Sequence, residues 1–347
     1  MHTLIKTLLL FFIFQQSFLA NANLSFDGFV DLYYAYDFNR PESKDRDYTT
    51  QPARHDEFNA NLVFLGLTHQ KDNLEARLSL QAGTYVQTNY ANEGGEGDFS
   101  YRHIQDAYIR YHINEKSHLI AGIMPSHIGY ETVLSIENYT YTRSLAADYT
   151  PYYQSGVGFI HQLSDTFGLE GYLLNGWQNI HKDDSNTALA TALRYHKGKI
   201  RLNYTTFFGR YMQASRQFHD FNLEYLYNEQ LSFKFLYNMG IQKQETPNKA
   251  HFYTFNLQSR YQFAQDQWFS IRIEKFRDQN RAHLLSVTGD EFDVHGGSVG
   301  YDYLLTQGSL LRAEYRYLKA SYDIFHRQQD FANSNQTLSF SLAARFE

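Results

Sequence analysis

The chain ends with the stretch Thr337-Leu338-Ser339-Phe340-Ser341-Leu342-Ala343-Ala344-Arg345-Phe346-Glu347. Every second residue from Leu338 to Phe346 is apolar, and the residues between them are Ser, Ala and Arg. Because successive side chains of a strand face opposite sides, this stretch predicts a strand with one apolar and one polar face. A β-sandwich and a barrel both use such strands, so the rest of the chain has to distinguish them.

The same alternation recurs along the chain and is clearest from Leu74 to Gln87, where leucines and alanines oppose Glu75, Arg77 and Gln81. An arginine that faces lipid at the membrane midplane costs roughly 2–4 kcal/mol, so in a membrane barrel the charged face must look inward. With this stretch, the sequence predicts sixteen strands, the others being Ser25 to Phe38, Glu57 to His69, His103 to Ile113, His118 to Met124, Gly156 to Leu163, Phe167 to Trp177, Ala188 to His196, Lys199 to Gly209, Phe218 to Tyr227, Leu231 to Gln242, Ala250 to Phe263, Trp268 to Phe276, Phe292 to Tyr303, Ser309 to Ala320 and Asn335 to Phe346.

The connections between these strands alternate in length. Short joins such as Gln70 to Asn73 and Lys197-Gly198 are followed by longer ones such as Asn39 to Asp56 and Arg210 to Gln217. Short periplasmic turns alternating with longer outer loops are typical of outer-membrane barrels, which have an even number of strands in bacteria. The sequence therefore predicts an all-β fold, a transmembrane antiparallel up-and-down β-barrel of about sixteen strands.

Two predicted strands fit the alternation poorly. Glu57 to His69 carries apolar residues on both faces, and Phe292 to Tyr303 changes phase near Gly296-Gly297, where two glycines could host a β-bulge. A count two strands lower therefore stays open.

Aromatic residues make up 17% of the chain and fall at the ends of predicted strands. Tyr111, Tyr195 and Tyr261 lie at the short-turn ends, whereas Tyr36 and Phe208 lie at the long-loop ends. Tyrosine and phenylalanine at these heights form the two aromatic girdles of a membrane barrel, so outer-membrane lipids are predicted partners.

Composition and the N-terminus indicate where in the cell the protein is located. The chain has 347 residues, no Cys and a formal net charge of -6, which leaves no thiolate chemistry and argues against a nucleic-acid partner. A lysine, the apolar run from Leu8 to Phe14 and the sequence Ala20-Asn21-Ala22 form the parts of a secretory signal peptide. We predict cleavage after Ala22, so that residues 1–22 are the signal and residues 23–347 form one barrel domain in the outer membrane of a Gram-negative bacterium.

The longest predicted connection, Pro125 to Ser155, carries motifs of a known family. It contains Ile128-Gly129-Tyr130-Glu131 and Arg143-Ser144, and Leu174-Asn175-Gly176-Trp177 follows at the end of the next hairpin. These motifs resemble the central segment and the Asn-Gly-Trp signature of the OmpL-like β-barrel porin family. The resemblance implies a porin, which the barrel assembly machinery inserts and which forms a homotrimer. Porins commonly end on the aromatic residue itself, whereas here Glu347 follows Phe346.

By resemblance to porins, the connection at residues 125–155 folds into the lumen and narrows it. Its charged residues, Glu131, Glu137, Arg143 and Asp148, are then the candidates for the constriction. A second reading stays open, in which Glu131 and Arg143 pair with each other and pin the loop to the wall.

Alternation places a set of basic residues on the lumen face. They either guide solutes or pair with acidic neighbours across strands, and ion preference stays undecided between these roles. The candidates for the pore lining are Arg77, Arg110, Arg194, Arg201, Lys234, Arg260, Arg272 and Arg312.

Catalysis finds little support. His103, His112, His118, His127 and His161 lie on separate predicted elements and lack metal-ligand spacing, so we predict no enzyme, no metal and no cofactor. The sequence favours a porin that passes small hydrophilic solutes and ions by diffusion. The alternative is a barrel that does not conduct and acts through its outer loops as a binding or adhesion protein.

Overall fold

Sixteen strands close into one antiparallel barrel, in which every strand pairs with its neighbours along the chain and the last pairs with the first. The computed structural model describes residues 23–93, 100–182, 186–212, 214–243, 249–278, 281, 283 and 287–347. The predicted signal peptide lies outside them. The barrel strands are β1 (Leu24–Asp37), β2 (Phe58–Lys71), β3 (Leu74–Ala82), β4 (Ile104–Asn114), β5 (Ser117–Pro125), β6 (Tyr153–Gln162), β7 (Phe167–Leu174), β8 (Ala188–Lys197), β9 (Ile200–Tyr211), β10 (Ala214–Leu226), β11 (Leu231–Lys243), β12 (Lys249–Ala264), β13 (Gln267–Asp278), β14 (Phe292–Thr306), β15 (Ser309–Ala320) and β18 (Ser334–Phe346).

The final strand closes the barrel with the register that its alternation predicts. β18 pairs with β1 from Gly28 opposite Phe346 to Asp37 opposite Thr337. The paired residues Leu32 and Leu342 are 46% and 44% exposed on the outside of the barrel. The predicted sixteen-stranded all-β barrel with an apolar exterior is therefore confirmed.

The two irregular strands are resolved differently from the prediction. The pairing of β1 with β2 shifts between Asp31 and Leu32, so that Asn61 and Leu62 both lie buried inside the barrel. The bulge lets Phe58 and Leu65, which alternation alone would place on opposite faces, both point outward. Leu62 and Phe64 make the inner face apolar as well, because they pack in a buried cluster. The bulge predicted at Gly296-Gly297 is wrong, because β14 pairs with β13 and β15 in unbroken register there. Its phase is constant, and Phe292 and Val294 point inward.

The prediction of a strand up to Gln87 is also wrong. β3 ends at Ala82, and Gly83 has φ 130, a conformation that favours glycine. A Cβ at Gly83 would lie 2.3 Å from the carbonyl oxygen of Asn61. The chain therefore leaves the wall here and forms the short helix α1 (Thr84–Asn89), whose Tyr85 is buried inside the barrel.

Long loops gather at one end of the barrel and short turns at the other. We name five of the long loops L1 (residues 38–57), L2 (83–103), L3 (126–152), L7 (279–291) and L8 (321–333). L8 contains a small sheet of β16 (Phe325–Arg327) and β17 (Asp330–Ala332), and L3 contains the helix α2 (Leu145–Asp148). The predicted loop Arg210 to Gln217 is wrong, since β9 and β10 extend to leave only residues 212–213 between them. Among the described residues, no helix is long and apolar enough to cross a membrane.

Candidate functional site

L3 folds into the barrel and lies against the strands of the wall. Its short helix α2 contacts β12 and β13, and the hydroxyl of Ser144 caps this helix by accepting a hydrogen bond from the Ala147 amide. Leu145 and Ala146 are almost completely buried. L3 is thus packed inside the lumen and does not extend into solvent.

Charged residues of the wall hold the backbone of L3. Glu314 on β15 accepts hydrogen bonds from the Thr142 amide at 2.6 Å and from the Thr142 hydroxyl at 2.7 Å. Arg272 on β13 donates to the Thr142 carbonyl at 2.6 Å and to the Thr140 hydroxyl at 2.7 Å. Glu274 accepts from the Leu145 amide at 2.7 Å. Hydrogen bonds to charged groups are the strong ones, so this cluster fixes L3 firmly.

Arg312 secures the first half of L3. Its guanidinium donates to the carbonyl oxygens of Ser135, Asn138 and Tyr139 at 2.5, 3.0 and 3.1 Å. The same guanidinium pairs with Asp302 at 2.7 Å. One arginine therefore ties residues 135–139 of L3 to β14 and β15.

The four constriction candidates occupy different positions in L3. Glu131 is buried and accepts hydrogen bonds from Ser144 and Gln258, whereas Glu137 is half-exposed and pairs with Arg345 at 3.1 Å. Asp148 is buried at the end of α2 and accepts two hydrogen bonds from Thr50 of L1 through Oδ1. These three carboxylates line cavities, as described below.

Arg143 is completely buried within L3. None of its three guanidinium nitrogens has a hydrogen-bond partner among the described residues, and the group lies 5.1 Å from the centroid of the Tyr152 ring. Glu131 bonds to Ser144 and forms no ion pair with Arg143 in the described part of the chain. The predicted ion pair between Glu131 and Arg143 is therefore wrong, and charged residues of the barrel wall anchor L3 instead.

The eight pore-lining candidates all point into the barrel, and each has an acidic partner. Arg201 is the most exposed, with 52% of its side chain accessible. Arg272 and Arg312 are covered by L3, and the others are partly accessible. The partners are Asp27 and Asp106 for Arg77, Glu75 for Arg110, Glu170 for Arg194, Glu224 for Arg201 and Lys234, Asp302 for Arg260 and Arg312, and Glu274 and Glu314 for Arg272.

Aromatic clusters inside the long-loop half of the barrel were missed by the sequence reasoning. One cluster covers the wall from β7 to β15, and its rings stack in a row, with Phe252 6.0 Å from Phe218 and 6.1 Å from Phe276. A second cluster joins Tyr85 of L2 and Tyr152 of L3 to β1 and β2. In the strand alternation these aromatic residues fall at inward-facing positions, and this pattern could have predicted the clusters.

His283 of L7 joins the first cluster to L3. Its ring lies 4.5 Å from Phe252, its Nε2 donates to the Tyr149 carbonyl at 2.6 Å, and its Nδ1 accepts from Arg216 at 2.9 Å. Burial, and then the nearby Arg216 charge, hold the pKa of His283 well below 6.5, so the ring is neutral.

Two cavities lie on opposite sides of the C-terminal part of L3. The cavity at the long-loop end has a volume of about 410 Å³ and is lined by Asp148 and Thr150. The cavity at the short-turn end has a volume of about 380 Å³ and is lined by Pro151, Glu131 and Glu137. Because neighbouring residues line the two cavities, L3 forms the partition between them at residues 148–152.

The histidines considered for catalysis have structural contacts. His112 and His118 pack together at 5.4 Å, and the buried His127 lies 2.7 Å from the Gln154 amide oxygen. His161 shares a hydrogen bond of 2.9 Å with the hydroxyl of Ser117, which is 7% exposed. Within the described ranges, no group of three or more His, Cys, Asp or Glu side chains is placed to hold a metal ion.

An apolar exterior, sixteen strands and a long loop folded among paired charges define the class of outer-membrane porin barrels. The family model described as "Putative beta-barrel porin-2, OmpL-like" matches residues 23–346. The chain belongs to this family of outer-membrane channels, which confirms the resemblance seen in the sequence. The long loops are accordingly the outer loops, and the short turns are periplasmic.

Solved porin structures share this fold. OmpF of Salmonella typhi, solved with daunomycin, is 10% identical with a TM-score of 0.65, covering 94% of this chain and 98% of that chain. OmpT of Vibrio cholerae is 10% identical with a TM-score of 0.62, covering 93% and 97%. An anion-selective porin from Comamonas acidovorans is 11% identical with a TM-score of 0.59, covering 94% and 100%. The sequence matches none of the curated proteins compared with it.

Proposed function

We propose that the protein is a porin whose water-filled channel lets small hydrophilic solutes and ions diffuse across the outer membrane, with L3 as its constriction. The observation that carries this proposal is the pair of cavities on either side of residues 148–152 of L3, both of which have carboxylates in their lining. A solute that enters from either side reaches the same partition. The local structure of L3 therefore sets the size of solute that passes.

The constriction has an acidic side toward each cavity. Glu131 and Glu137 face the periplasmic cavity, and Asp148 faces the outer one. Arg143, which lies between them within L3 and is fully buried, stabilises the loop through the Tyr152 ring and the buried carboxylates of Asp31 and Asp148. In this assignment three of the four candidates contact passing solutes and Arg143 supports them.

Ion preference should be weak, because the lumen charges are paired. The five partly exposed arginines among the pore-lining candidates each have a carboxylate within 4 Å, so fields of opposite sign cancel along the path. Arg201 and Glu224 form the most accessible of these pairs. Charge reversal by Arg201→Glu should move the reversal potential in a salt gradient toward cation preference, while Arg201→Lys should leave it unchanged.

Swelling of proteoliposomes tests the proposed function. Vesicles that contain the refolded protein are diluted into isotonic solutions of neutral solutes of increasing size, from glycerol to a trisaccharide. The proposal predicts rapid swelling with the smallest solute and a steep decrease with size, as a narrow partition requires. Swelling no faster than that of protein-free vesicles, from a barrel shown to be inserted, would overturn the proposal.

The second candidate function is a barrel that does not conduct and whose outer loops bind a partner or a surface. The packing of L1, L3, L7 and L8 into the aromatic cluster favours it, since Tyr48, His283 and Phe325 tie these loops together. Stable conductance from the inserted barrel would exclude this alternative. Catalysis is not part of either proposal.

Three further features belong to the porin proposal. Residues 1–22 act as a cleaved signal peptide, and the barrel assembly machinery inserts residues 23–347. The barrel forms a homotrimer, which is supported by an apolar groove of about 560 Å³ on the outer face of β1, β2 and β18, where Phe58 is 88% exposed. Vibrio cholerae OmpT has been solved in a trimer form. Mass measurement in detergent should give three copies, and Phe58→Asp should give monomers.

A further inference from the structure

Two histidines face each other across the short turn that joins β4 and β5. His112 and His118 are directly opposite in the register of these two strands. Their chain neighbours Tyr111 and Leu119 are exposed on the outside of the barrel, so alternation directs both imidazoles into the lumen. Because this turn is periplasmic, the pair lies at the periplasmic end of the lumen.

The backbone brings the two side chains close together. The His112 amide donates to the Asn73 carbonyl, on the side of β3, at 2.8 Å. In an antiparallel ladder this makes His112 and His118 a non-hydrogen-bonded pair, the type in which opposite side chains approach each other most closely. The ring centroids are 5.4 Å apart, and the ring planes are inclined at 42°. A rigid hairpin, and not a flexible loop, therefore sets the spacing of the two rings.

This spacing suits two ligands of one metal ion. Zn²⁺ binds an imidazole nitrogen at about 2.0–2.1 Å and prefers a tetrahedral arrangement of ligands. Two imidazoles arranged in this way around one ion have ring centroids roughly 5.3 Å apart. The observed distance of 5.4 Å matches this value. Binding therefore requires the rings to rotate but does not require the strands to move.

The ring nitrogens of both histidines are available. Neither imidazole forms a hydrogen bond with another residue of the described chain. Both side chains are half-buried, so water of the lumen reaches them. His127 and His161 differ, because each has a ring nitrogen in a hydrogen bond, at 2.7 and 2.9 Å. Within the described residues, the pair therefore lacks the partners that hold these other histidines.

The charged residues of the wall beside the pair are matched. Arg110, Glu75 and Glu170 are close enough to the pair to interact with it electrostatically. Arg110 pairs with Glu75 at 2.9 Å, and Glu170 pairs with Arg194 at 3.0 Å. A divalent ion between the imidazoles therefore meets no excess of positive charge from these residues. Water or a solute anion fills the positions of the ion that the two imidazoles leave open.

We propose that His112 and His118 bind a divalent transition-metal ion of the Zn²⁺ class at the periplasmic end of the lumen. Imidazole suits Zn²⁺, Ni²⁺ and Cu²⁺, whereas Mg²⁺ and Ca²⁺ prefer oxygen ligands. The bound ion adds positive charge to the channel exit and thereby disfavours the passage of cations. This effect on the channel rests on the proposed porin function, whereas binding of the ion does not require conduction.

Calorimetric titration tests the binding. The refolded chain of residues 23–347, without a histidine tag, is titrated in detergent with ZnCl₂ and separately with MgCl₂. The titration is done at pH 7.5, because imidazole binds metals in its neutral form. We expect a site that saturates at one Zn²⁺ per chain and no binding of Mg²⁺. Electron paramagnetic resonance of the protein loaded with Cu²⁺ should show two nitrogen ligands.

Three matched substitutions locate the site. His112→Gln and His118→Gln each remove one ligand and should weaken Zn²⁺ binding by about tenfold or more, since a single imidazole holds the ion poorly. His196→Gln makes the same change at an exposed histidine on the lumen side of β8, also at the periplasmic end, and should leave binding unchanged. Thermal unfolding without metal confirms that each variant is folded.

Planar-bilayer recording tests the effect on the channel. Zn²⁺ at a concentration that saturates the site should shift the reversal potential in a salt gradient toward anion preference. His112→Gln should abolish this shift, whereas His196→Gln should keep it. A conducting protein that binds Zn²⁺ and keeps an unchanged reversal potential would overturn the effect on the channel.

The possible results separate the metal site from the porin function. Equal binding of Mg²⁺, or unchanged Zn²⁺ affinity in both His112→Gln and His118→Gln, would overturn the inference. Absence of Zn²⁺ binding in a preparation that conducts would overturn the inference and leave the porin function standing. Zn²⁺ binding that both variants weaken, in a preparation that never conducts, would support the metal site and overturn the channel.

Discussion

Replacing Glu314 with glutamine should release L3 from the barrel wall. The Glu314 carboxylate is 1% exposed and accepts two hydrogen bonds from Thr142, at 2.6 and 2.7 Å, and one from Arg272 at 3.2 Å. Glutamine keeps the shape, but one acceptor oxygen becomes a donor that faces other donors, and Arg272 loses one of its two anionic partners. Hydrogen bonds to charged groups contribute roughly 1.5–3 kcal/mol each, so a loss of about 3 kcal/mol is expected.

Such a loss shifts the equilibrium between docked and released L3 by roughly a hundredfold. The chain has 0 cysteines, so Ala146→Cys, at a position that is 2% exposed on α2, gives a single thiol buried while L3 is docked. A small thiol reagent should label this thiol roughly a hundredfold faster in the Glu314→Gln background, because labelling follows local opening. Single-channel conductance should rise in parallel.

Glu75→Gln is the matched control. Glu75 pairs with Arg110 and Tyr108 on the wall and has no contact with L3 among the described residues. Its loss should change neither the labelling rate nor the conductance. Equal labelling rates in the Glu314→Gln and Glu75→Gln proteins would refute the view that wall charges hold L3.

Three other outcomes follow from the same structure. Gly83→Ala should lower the free energy of unfolding by about 1–3 kcal/mol or more, seen in urea titration, since φ 130 and the Asn61 carbonyl both oppose a Cβ. Leu80→Arg, at an outward position that is 49% exposed, should cost roughly 2–4 kcal/mol in lipid vesicles, whereas Leu80→Ile should cost little. Burial raises the pKa of Asp148 to about 6 from 3.8, so ionisation of this carboxyl opposes folding. As pH rises from about 4 to about 6, the wild type should therefore lose up to about 3 kcal/mol of folding free energy relative to Asp148→Asn. A difference between the two proteins that does not depend on pH would contradict this.

Alternation was sufficient to predict the wall of the barrel. Each of the sixteen predicted stretches overlaps one barrel strand, because lipid on one side and a polar lumen on the other impose a period of two on every strand. The predicted strands are wrong where backbone turns or bulges interrupt the alternation. β3 stops at Gly83 because the backbone turns there, and β2 shifts phase at Asn61, which no residue type marks.

The interior of the barrel was harder to predict. The sequence indicated that L3 carries the charges of interest, but the partners of L3 come from β13 and β15, more than a hundred residues away. Such pairs depend on barrel closure and leave no local pattern. The inward rings of Phe218, Phe252 and Phe276 are visible in the strand phase, yet their role as a core for L3 and L7 depends on where these loops fold.

Planar-bilayer recording tests the central claim most directly. The refolded chain of residues 23–347 is inserted with L3 either intact or with residues 130–150 replaced by a short flexible link, and single-channel conductance is measured in a salt gradient. We predict stable conductance steps from the intact protein and larger steps from the shortened one, with a reversal potential near zero. Inserted barrels of both forms that never conduct, or steps of equal size, would contradict a channel narrowed by L3.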